Sequence, residues 1–299
     1  MKNLILKILP HALKEKIKML GCLKRRQSVK NAIQLALSSK RIDICAAQFA
    51  HMLHLSRHPS LEGKTCLELG AGWVLSHALV CYLLGAKRVI ATDIAPLAQP
   101  KAIIFALENA VMSIPRDILA PFSDHSRIRK RLIRLSSIRE FNFERLKEIG
   151  IEYQSPVDFA KGRLHIPVDF IYSFSVLEHV PNSSVSVLLH NLVDDLNYGG
   201  TMIHCIHLED HKDFERHPFD FLKIPENKYP CDLQSSQGNR IRQSEWKRIF
   251  GELKGAKTDL IYTYSRLDKA IPESIDPSIS YRDKNDLVVS HIGVYTRKE

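Results

Sequence analysis

Short apolar segments separated by glycine turns are the main pattern around residues 64–96. Residues 65–69 predict a buried strand that runs into a tight turn, because the segment is apolar and ends in glycines. Residues 75–84 are apolar nearly throughout and are followed by Gly85, which is typical of a covered helix with a glycine C-cap. A second apolar run at 88–91 has Asp93 beyond its C-terminal end. Together these elements form the first half of a nucleotide-binding βαβ unit.

Similar patterns continue along the rest of the chain. Further strands are predicted at residues 151–155, 168–174, 201–206, 258–264 and 288–296. A helix is predicted at 183–196, and another begins with Ser244 as its N-cap. A long, basic helical region covers 97–149, and its arginine-rich part is better explained as a solvated helix face than as a nucleic-acid site.

Two acids near the first two strand ends favour one cofactor. A dinucleotide-binding fold has a third glycine where Leu75 stands, and here Glu68 comes two residues before Gly70. A carboxylate beside this turn suits an ammonium group better than a pyrophosphate. Asp93 can accept hydrogen bonds from both hydroxyls of a ribose. A ligand with an amino-acid ammonium and a ribose points to S-adenosylmethionine.

Four motifs, in order along the chain, resemble the class I S-adenosylmethionine-dependent methyltransferases. They are the glycine turn at 68–72, Asp93, residues 169–180 and the Gly-Gly turn at 196–200. This resemblance spans roughly residues 60–210. It implies an α/β, Rossmann-like, seven-stranded methyltransferase sheet with an antiparallel last strand and helices on both faces. An ordinary strand–helix turn in another α/β domain is the alternative explanation of the two glycines.

The resemblance also implies which residues hold the cofactor. An acid just past the third strand, Asp158, is the candidate for the adenine amino group, although Asp is also a common turn residue. The predicted cofactor contacts are Glu68, Gly70, Ala71, Gly72, Asp93, Ile94, Asp158 and Ser175. Ubiquinone O-methyltransferases hold a divalent metal through an E-x-x-E-H pattern. Here Ser175 replaces the first acid, so no metal site is predicted.

Histidines and acids follow the ends of the fourth and fifth predicted strands, where open α/β sheets bind ligands. His211, oriented by Asp210, is the main candidate to take a proton from a hydroxyl nucleophile, and His207 is a second. His179 is a further candidate, with a packed, hydrogen-bonded histidine as the alternative. Residues 207–242 are predicted to form a lid-like insertion, in which Arg240 or Arg242 either clamps an anionic substrate group or braces the next helix.

Composition and charge narrow the class of protein. The chain has 299 residues with 44% hydrophobic and 25% charged residues, as in ordinary globular proteins. Its six cysteines form no C-x-x-C pair, which indicates a reducing, cytoplasmic compartment. The formal charge of +10 favours an anionic partner without identifying it.

The N-terminal residues carry a separate pattern. Residues 1–30 contain nine Lys or Arg against a single acid, with apolar residues at helical spacing. We predict a basic amphipathic helical extension at 1–40, ahead of a methyltransferase domain at 41–299. Residues 1–26 either contact an anionic membrane, at its inner face, or pack on the domain.

The resemblance implies methyl transfer from S-adenosylmethionine, and we expect a small-molecule acceptor. A looser likeness of the whole chain to small-molecule methyltransferases of types 11 and 23 suggests a sugar or a lipid-linked glycan precursor. Two alternatives stay open, a nucleic-acid methyltransferase and a non-enzymatic scaffold that binds the cofactor. Nucleic acid is the less favoured partner, because no N-P-P-Y-like run follows the fourth strand.

Overall fold

A single mixed sheet organises the described part of the chain. The computed structural model describes residues 40–56, 60–113, 116–138, 142–229 and 237–299. The strands are β1 (Thr65–Leu69), β2 (Arg88–Thr92), β3 (Ile151–Gln154), β4 (Val168–Phe174), β5 (Leu196–His207), β6 (Ala256–Ser265) and β7 (Val289–Lys298). Their order is β3-β2-β1-β4-β5-β7-β6. Strands β1 to β5 pair in parallel, whereas β7 runs antiparallel to both β5 and β6. The predicted seven-stranded sheet with an antiparallel last strand is confirmed.

Helices connect the strands. They are α1 (Arg41–Leu55), α2 (Ser76–Leu83), α3 (Pro100–Ser113), α4 (Arg116–Leu119), α5 (His125–Ser136), α6 (Phe143–Glu148), α7 (Asn182–Asp195), α8 (Gln243–Gly251) and α9 (Lys284–Leu287). Short 3₁₀ turns lie at Leu177–His179, Asp220–Lys223 and Glu226–Lys228.

Hydrophobic cores cover both faces of the sheet, because side chains alternate between the faces along each strand. Cys66 of β1 belongs to a core that contains Phe49 of α1. Its neighbour Leu67 belongs to the opposite core, with Leu189 of α7 and Trp246 of α8. Glu68 follows the alternation and faces the same layer as Cys66. This placement decides which side of the sheet its carboxylate reaches.

A third, smaller core lies under the chain beyond β5. It packs Phe219, Phe221 and Tyr229 against Ile279 and Leu287, which belong to the connection between β6 and β7. Residues 219–229 are therefore packed on a core that they share with the connection between β6 and β7, whereas Leu208 and Ile241 of the same segment belong to the core with Trp246. The lid function of this segment stays a prediction.

The arginine-rich helix of the basic region has an exposed face, as predicted, but one of its arginines makes contacts within the fold. Helix α5 buries Ile128, and Arg127 and Arg134 are exposed as predicted. Arg131 differs, because its guanidinium donates hydrogen bonds to the carbonyls of Tyr82 (2.6 Å) and Ala86 (2.7 Å) and to that of Gly85 (3.2 Å). Arg131 therefore satisfies carbonyls at the end of α2.

The predicted N-cap at Ser244 is wrong. Helix α8 begins at Gln243, and Arg242 occupies the N-cap position without a side-chain capping bond. Ser244 lies in the first turn, where its backbone N–H and its hydroxyl both donate to the carboxylate of Asp286. An acid from the segment before β7 therefore satisfies the start of this helix.

The predicted N-terminal extension at 1–40, with its membrane-binding segment 1–26, falls almost wholly on residues 1–39, which lie outside the described residues. Among the residues that are described, no helix has both the length and the apolar character needed to cross a membrane.

Candidate functional site

A cavity of about 640 Å³ opens at the carboxyl ends of β1, β2 and β4. This is the edge at which open α/β sheets bind ligands, and the volume suits a ligand of nucleoside size. Six of the predicted cofactor contacts line it, namely Gly70, Gly72, Asp93, Ile94, Asp158 and Ser175. Apolar side chains, among them Leu97, Val157 and Phe159, complete much of the wall.

The turn after β1 is held in place by backbone hydrogen bonds. The N–H groups of Gly70 and Ala71 both donate to the carbonyl of Thr92, at 2.9 Å. Gly70 has φ +75°, and a Cβ there would collide with the side chain of Val176. Gly72 has φ +66°, and a Cβ there would meet nothing within 4 Å. Only a residue without a side chain combines this conformation with an open approach from the cavity.

Asp93 joins the turn to the cavity. Its Oδ2 accepts a hydrogen bond from the N–H of Gly72 at 2.8 Å. Burial raises the pKa of Asp93, while the N–H groups of Gly72, Ile94 and Ala95 lower it. The remaining hydrogen-bonding capacity of this carboxylate is available to a ligand hydroxyl.

The other predicted acid of the wall, Asp158, is part of a local turn. Its Oδ1 accepts from the N–H of Ala160 at 3.0 Å, and its Oδ2 lies 3.1 Å from Nζ of Lys161. Asp158 therefore takes part in a turn and also faces the cavity.

Glu68 and Ala71 are not wall residues of this cavity. Glu68 is 2% exposed, and its Oε1 lies 3.8 Å from Nδ1 of His77 in α2. Burial raises the pKa of Glu68 to about 8, and the nearby charge of Asp93 adds to this. Burial also lowers the pKa of His77 to about 3, so the imidazole supplies no compensating charge. The buried Oε2 of Glu68 has no hydrogen-bond partner among the described residues.

The candidate catalytic histidines are brought together, but Asp210 does not orient them. His179 and His211 line the cavity, and their ring centroids are 4.8 Å apart. His207 stacks on His211 at 4.6 Å from behind the wall. The carboxylate of Asp210 accepts from the N–H of Lys212 instead.

Glu178 and His291 complete the arrangement around these rings. The carboxylate that faces His211 belongs to Glu178, with 3.9 Å between Oε1 and Nε2. His291 of β7 stacks on His207 at 4.3 Å. The two residues are opposite each other in the β5–β7 register, which sequence spacing alone did not reveal. Burial lowers the pKa of His211 and of His291 to about 4, so both rings are neutral near pH 7.

The side chains of Arg240 and Arg242 hydrogen-bond backbone carbonyls of other segments of the chain, and neither residue lines the cavity. Arg242 is completely buried and donates to the carbonyls of Leu208 (2.8 Å) and Val289 (2.6 Å). Arg240 lies over the ring of Tyr229, 4.3 Å from its centroid. Arg242 therefore stabilises the chain around the site without reaching the cavity.

The wall fits the predicted cofactor in part. Gly72 leaves space for a ligand to approach the backbone, Asp93 offers an acceptor, and the apolar wall suits a planar base. The predicted ammonium partner, Glu68, stands in the layer behind the turn.

The strand order and the edge at which the cavity opens are those of the class I methyltransferase fold. Solved structures with this fold are similar to the chain. A S-adenosylmethionine-dependent methyltransferase from Mesorhizobium loti has a TM-score of 0.44 at 13% identity, covering 84% of this chain and 98% of that one. The magnesium protoporphyrin IX methyltransferase from Synechocystis with bound SAH has 0.42 at 14%, covering 85% and 81%. TehB from Haemophilus influenzae has 0.40 at 13%, covering 81% and 58%. No family model and no curated protein matches the chain. The fold assignment therefore rests on the strand order.

Proposed function

We propose that the chain is a S-adenosylmethionine-dependent methyltransferase that acts on a small-molecule acceptor. The observation that carries this proposal is the unit formed by Gly72 and Asp93 in the cavity wall, at the carboxyl ends of the parallel strands. In the proposed complex Asp93 accepts a hydrogen bond from the ribose, and Asp158 accepts one from the adenine amino group.

The sulfonium of the bound cofactor supplies an activated methyl group. The contribution of the chain is alignment of the acceptor and handling of its proton. For a hydroxyl acceptor, the new oxygen–carbon bond forms as the sulfur–carbon bond breaks. The neutral imidazole of His211, on the same cavity wall, takes the hydroxyl proton.

A small hydroxyl compound, with a sugar or a lipid-linked glycan precursor as the first class to assay, is the acceptor that we propose. The cavity volume of about 640 Å³ supports a small acceptor. The arginine-rich helix α5 gives less support to nucleic acid, because Arg131 is already used within the fold.

Calorimetry with S-adenosylhomocysteine tests the cofactor proposal. We expect saturable binding, weakened at least tenfold in Asp93→Asn, since one ribose contact then loses its charge-assisted acceptor. The matched control is Asp259→Asn, an exposed acid on β6, which should bind as the unchanged chain does. Thermal melting of each variant establishes that it is folded. Absence of binding by the unchanged chain, or equal binding by Asp93→Asn, contradicts the proposal.

A further inference from the structure

Two groups of histidine and glutamate side chains stand side by side near the carboxyl end of β5. In each group the possible ligand atoms all lie within 4.8 Å of one another. We call the first group the cavity triad, Glu178, His179 and His211, and the second the strand triad, His207, Glu209 and His291. Either group offers two imidazoles and one carboxylate.

The strand triad is already satisfied by contacts within the protein. Glu209 accepts a hydrogen bond from His207 at 2.8 Å. Its other oxygen, Oε1, pairs with the guanidinium of Arg266 at 3.1 Å. A metal ion here would have to displace a hydrogen bond and sit beside a fixed positive charge. These contacts indicate a structural role for the strand triad, which connects β5, β7 and the chain that follows β6.

The cavity triad is different, because its possible ligand atoms are not engaged in hydrogen bonds of good geometry. Glu178 is 1% exposed. The backbone N–H groups of Glu178 and His207 and the side chain of Ser175 approach its carboxylate, but neither oxygen accepts a hydrogen bond of good geometry. Nδ1 of His179 and Nε2 of His211 are also buried without a partner. Among the described residues, no lysine or arginine forms an ion pair with Glu178. Buried polar atoms are normally paired, and one ligand atom from each of the three residues lies within 4.8 Å of the other two, so the group points to a cation site.

We propose that Glu178, His179 and His211 bind a divalent transition-metal ion, of which Zn²⁺ is the reference case. Two nitrogen donors and one carboxylate suit Zn²⁺, Fe²⁺ or Co²⁺, whereas Mg²⁺ prefers an all-oxygen octahedron. Oε1 of Glu178 and Nε2 of His211 are 3.9 Å apart. Tetrahedral ligands at metal distances of about 2.0–2.1 Å stand roughly 3.4 Å apart, so small side-chain rotations close the site.

Hydrogen bonds from neighbouring residues fix the backbone around the cavity triad. Glu178 and His179 belong to the 3₁₀ turn Leu177–His179. The side chain of Asn239 donates to the carbonyls of Leu177 and Val180, at 2.9 Å each. The backbone of Gln237 hydrogen-bonds the ring of His179 and leaves Nδ1 free. Outer contacts of this kind fix the orientation of a metal-binding histidine.

Three protein ligands leave at least one coordination position for a ligand in the cavity, which His179 and His211 line. An acceptor hydroxyl bound there would lose its proton more readily. This consequence rests on the proposed function, and it replaces the role of His211 as proton acceptor, because one lone pair cannot serve both purposes. The hydroxyl proton then leaves to solvent as the oxygen–carbon bond forms. Metal binding itself does not depend on the proposed function.

The test is a titration of the chelator-treated full chain with Co²⁺, followed by its visible absorption, and with Zn²⁺ by calorimetry. We expect one ion per chain, with binding weakened at least tenfold in Glu178→Gln and in His211→Ala. The matched controls are Glu108→Gln and His54→Ala, both exposed, which should bind as the unchanged chain does. His291→Ala reports on the strand triad and should retain the ion.

Melting curves show that each variant is folded, and we expect this for Glu178→Gln because an amide replaces an unpaired buried carboxyl group. Failure of the unchanged chain to bind either ion overturns the inference. So does undiminished binding in folded Glu178→Gln, or a loss that follows His291→Ala instead. Calorimetry with S-adenosylhomocysteine on the chelator-treated chain reports on the proposed function separately, so that either proposal can fail alone.

Discussion

The two acids at the first strand ends respond to burial differently. Asp93 is surrounded by backbone N–H groups that partly offset the burial of its charge. Glu68 lies in the α1–α2 layer beside a neutral His77, and burial raises its pKa to about 8. Residue type and spacing predicted that both acids contact the cofactor. They did not predict which carboxylate faces the cavity, because the strand alternation and the neighbouring layers decide that.

Replacing Glu68 with glutamine should flatten the dependence of stability on pH. The ordinary pKa of this side chain is 4.5, and its folded-state pKa is about 8. The folded chain therefore keeps the proton to higher pH than the unfolded chain, and the stabilising contribution, complete below pH 4.5, is lost as pH rises towards 8. The slope is at most about 1.4 kcal/mol for each pH unit.

Urea unfolding at about pH 5 and about pH 8 measures this slope. Glu68→Gln should gain stability relative to the unchanged chain at the higher pH. The exposed Glu108→Gln should leave the slope as it is. Parallel pH profiles for the unchanged chain and Glu68→Gln would show that Glu68 ionises normally in the folded chain.

Two helices have one end hydrogen-bonded by a side chain from a distant part of the sequence. Arg131 of α5 satisfies carbonyls at the end of α2, and Asp286 satisfies the start of α8. From the local sequence, Gly85 was predicted to end the first of these helices and Ser244 to cap the start of the second. Gly85 does follow the end of α2, with φ +112°. Ser244 failed as an N-cap because Asp286 comes from 42 residues away and supplies the acceptor.

The contact between Arg131 and α2 gives a prediction with an internal control. Arg131→Ala should lower the free energy of unfolding by about 1–3 kcal/mol, because partly buried carbonyls lose a charged donor. Arg134→Ala, on the exposed side of the same helix, should change it by about 0.5 kcal/mol or less. Chemical denaturation of both variants measures the difference. Equal effects would mean that the guanidinium of Arg131 is solvated in solution.

At the scale of the whole molecule, the sequence predicted the sheet better than the site. Short apolar runs located β1 and β4 at the observed bounds, and β2, β3, β6 and β7 within two residues at each end. The prediction for β5 was wrong at its start, because the strand begins at Leu196 and includes Gly199 and Gly200, where a turn was predicted. The resemblance predicted the sheet, and the order of the strands confirms it. The site combines the turn after β4, the chain after β5 and the pairing of β7. Glu178, His211 and His291 meet only through that packing, which no local spacing reveals.

If the cofactor binds as proposed, it should stabilise the whole domain and the glycine turn in particular. A ligand at about 100 times its dissociation constant adds about 2.7 kcal/mol to the free energy of unfolding. We expect S-adenosylhomocysteine to raise the melting temperature and to slow amide exchange at Gly72, whose N–H already bonds Asp93. Calorimetric melting and hydrogen exchange measure the two effects. Slower exchange confined to β6 and β7 would place the ligand elsewhere.

The position of β7 between β5 and β6 has a consequence for biosynthesis. Strand β6 pairs with β7, so its edge has no partner in the described sheet until residues 289–298 have left the ribosome. The nascent chain therefore carries an unpaired strand edge, a surface that favours aggregation, until β7 has been synthesised. A nonsense mutation just before β7 should yield an insoluble product, even though it leaves the glycine turn and Asp93 intact.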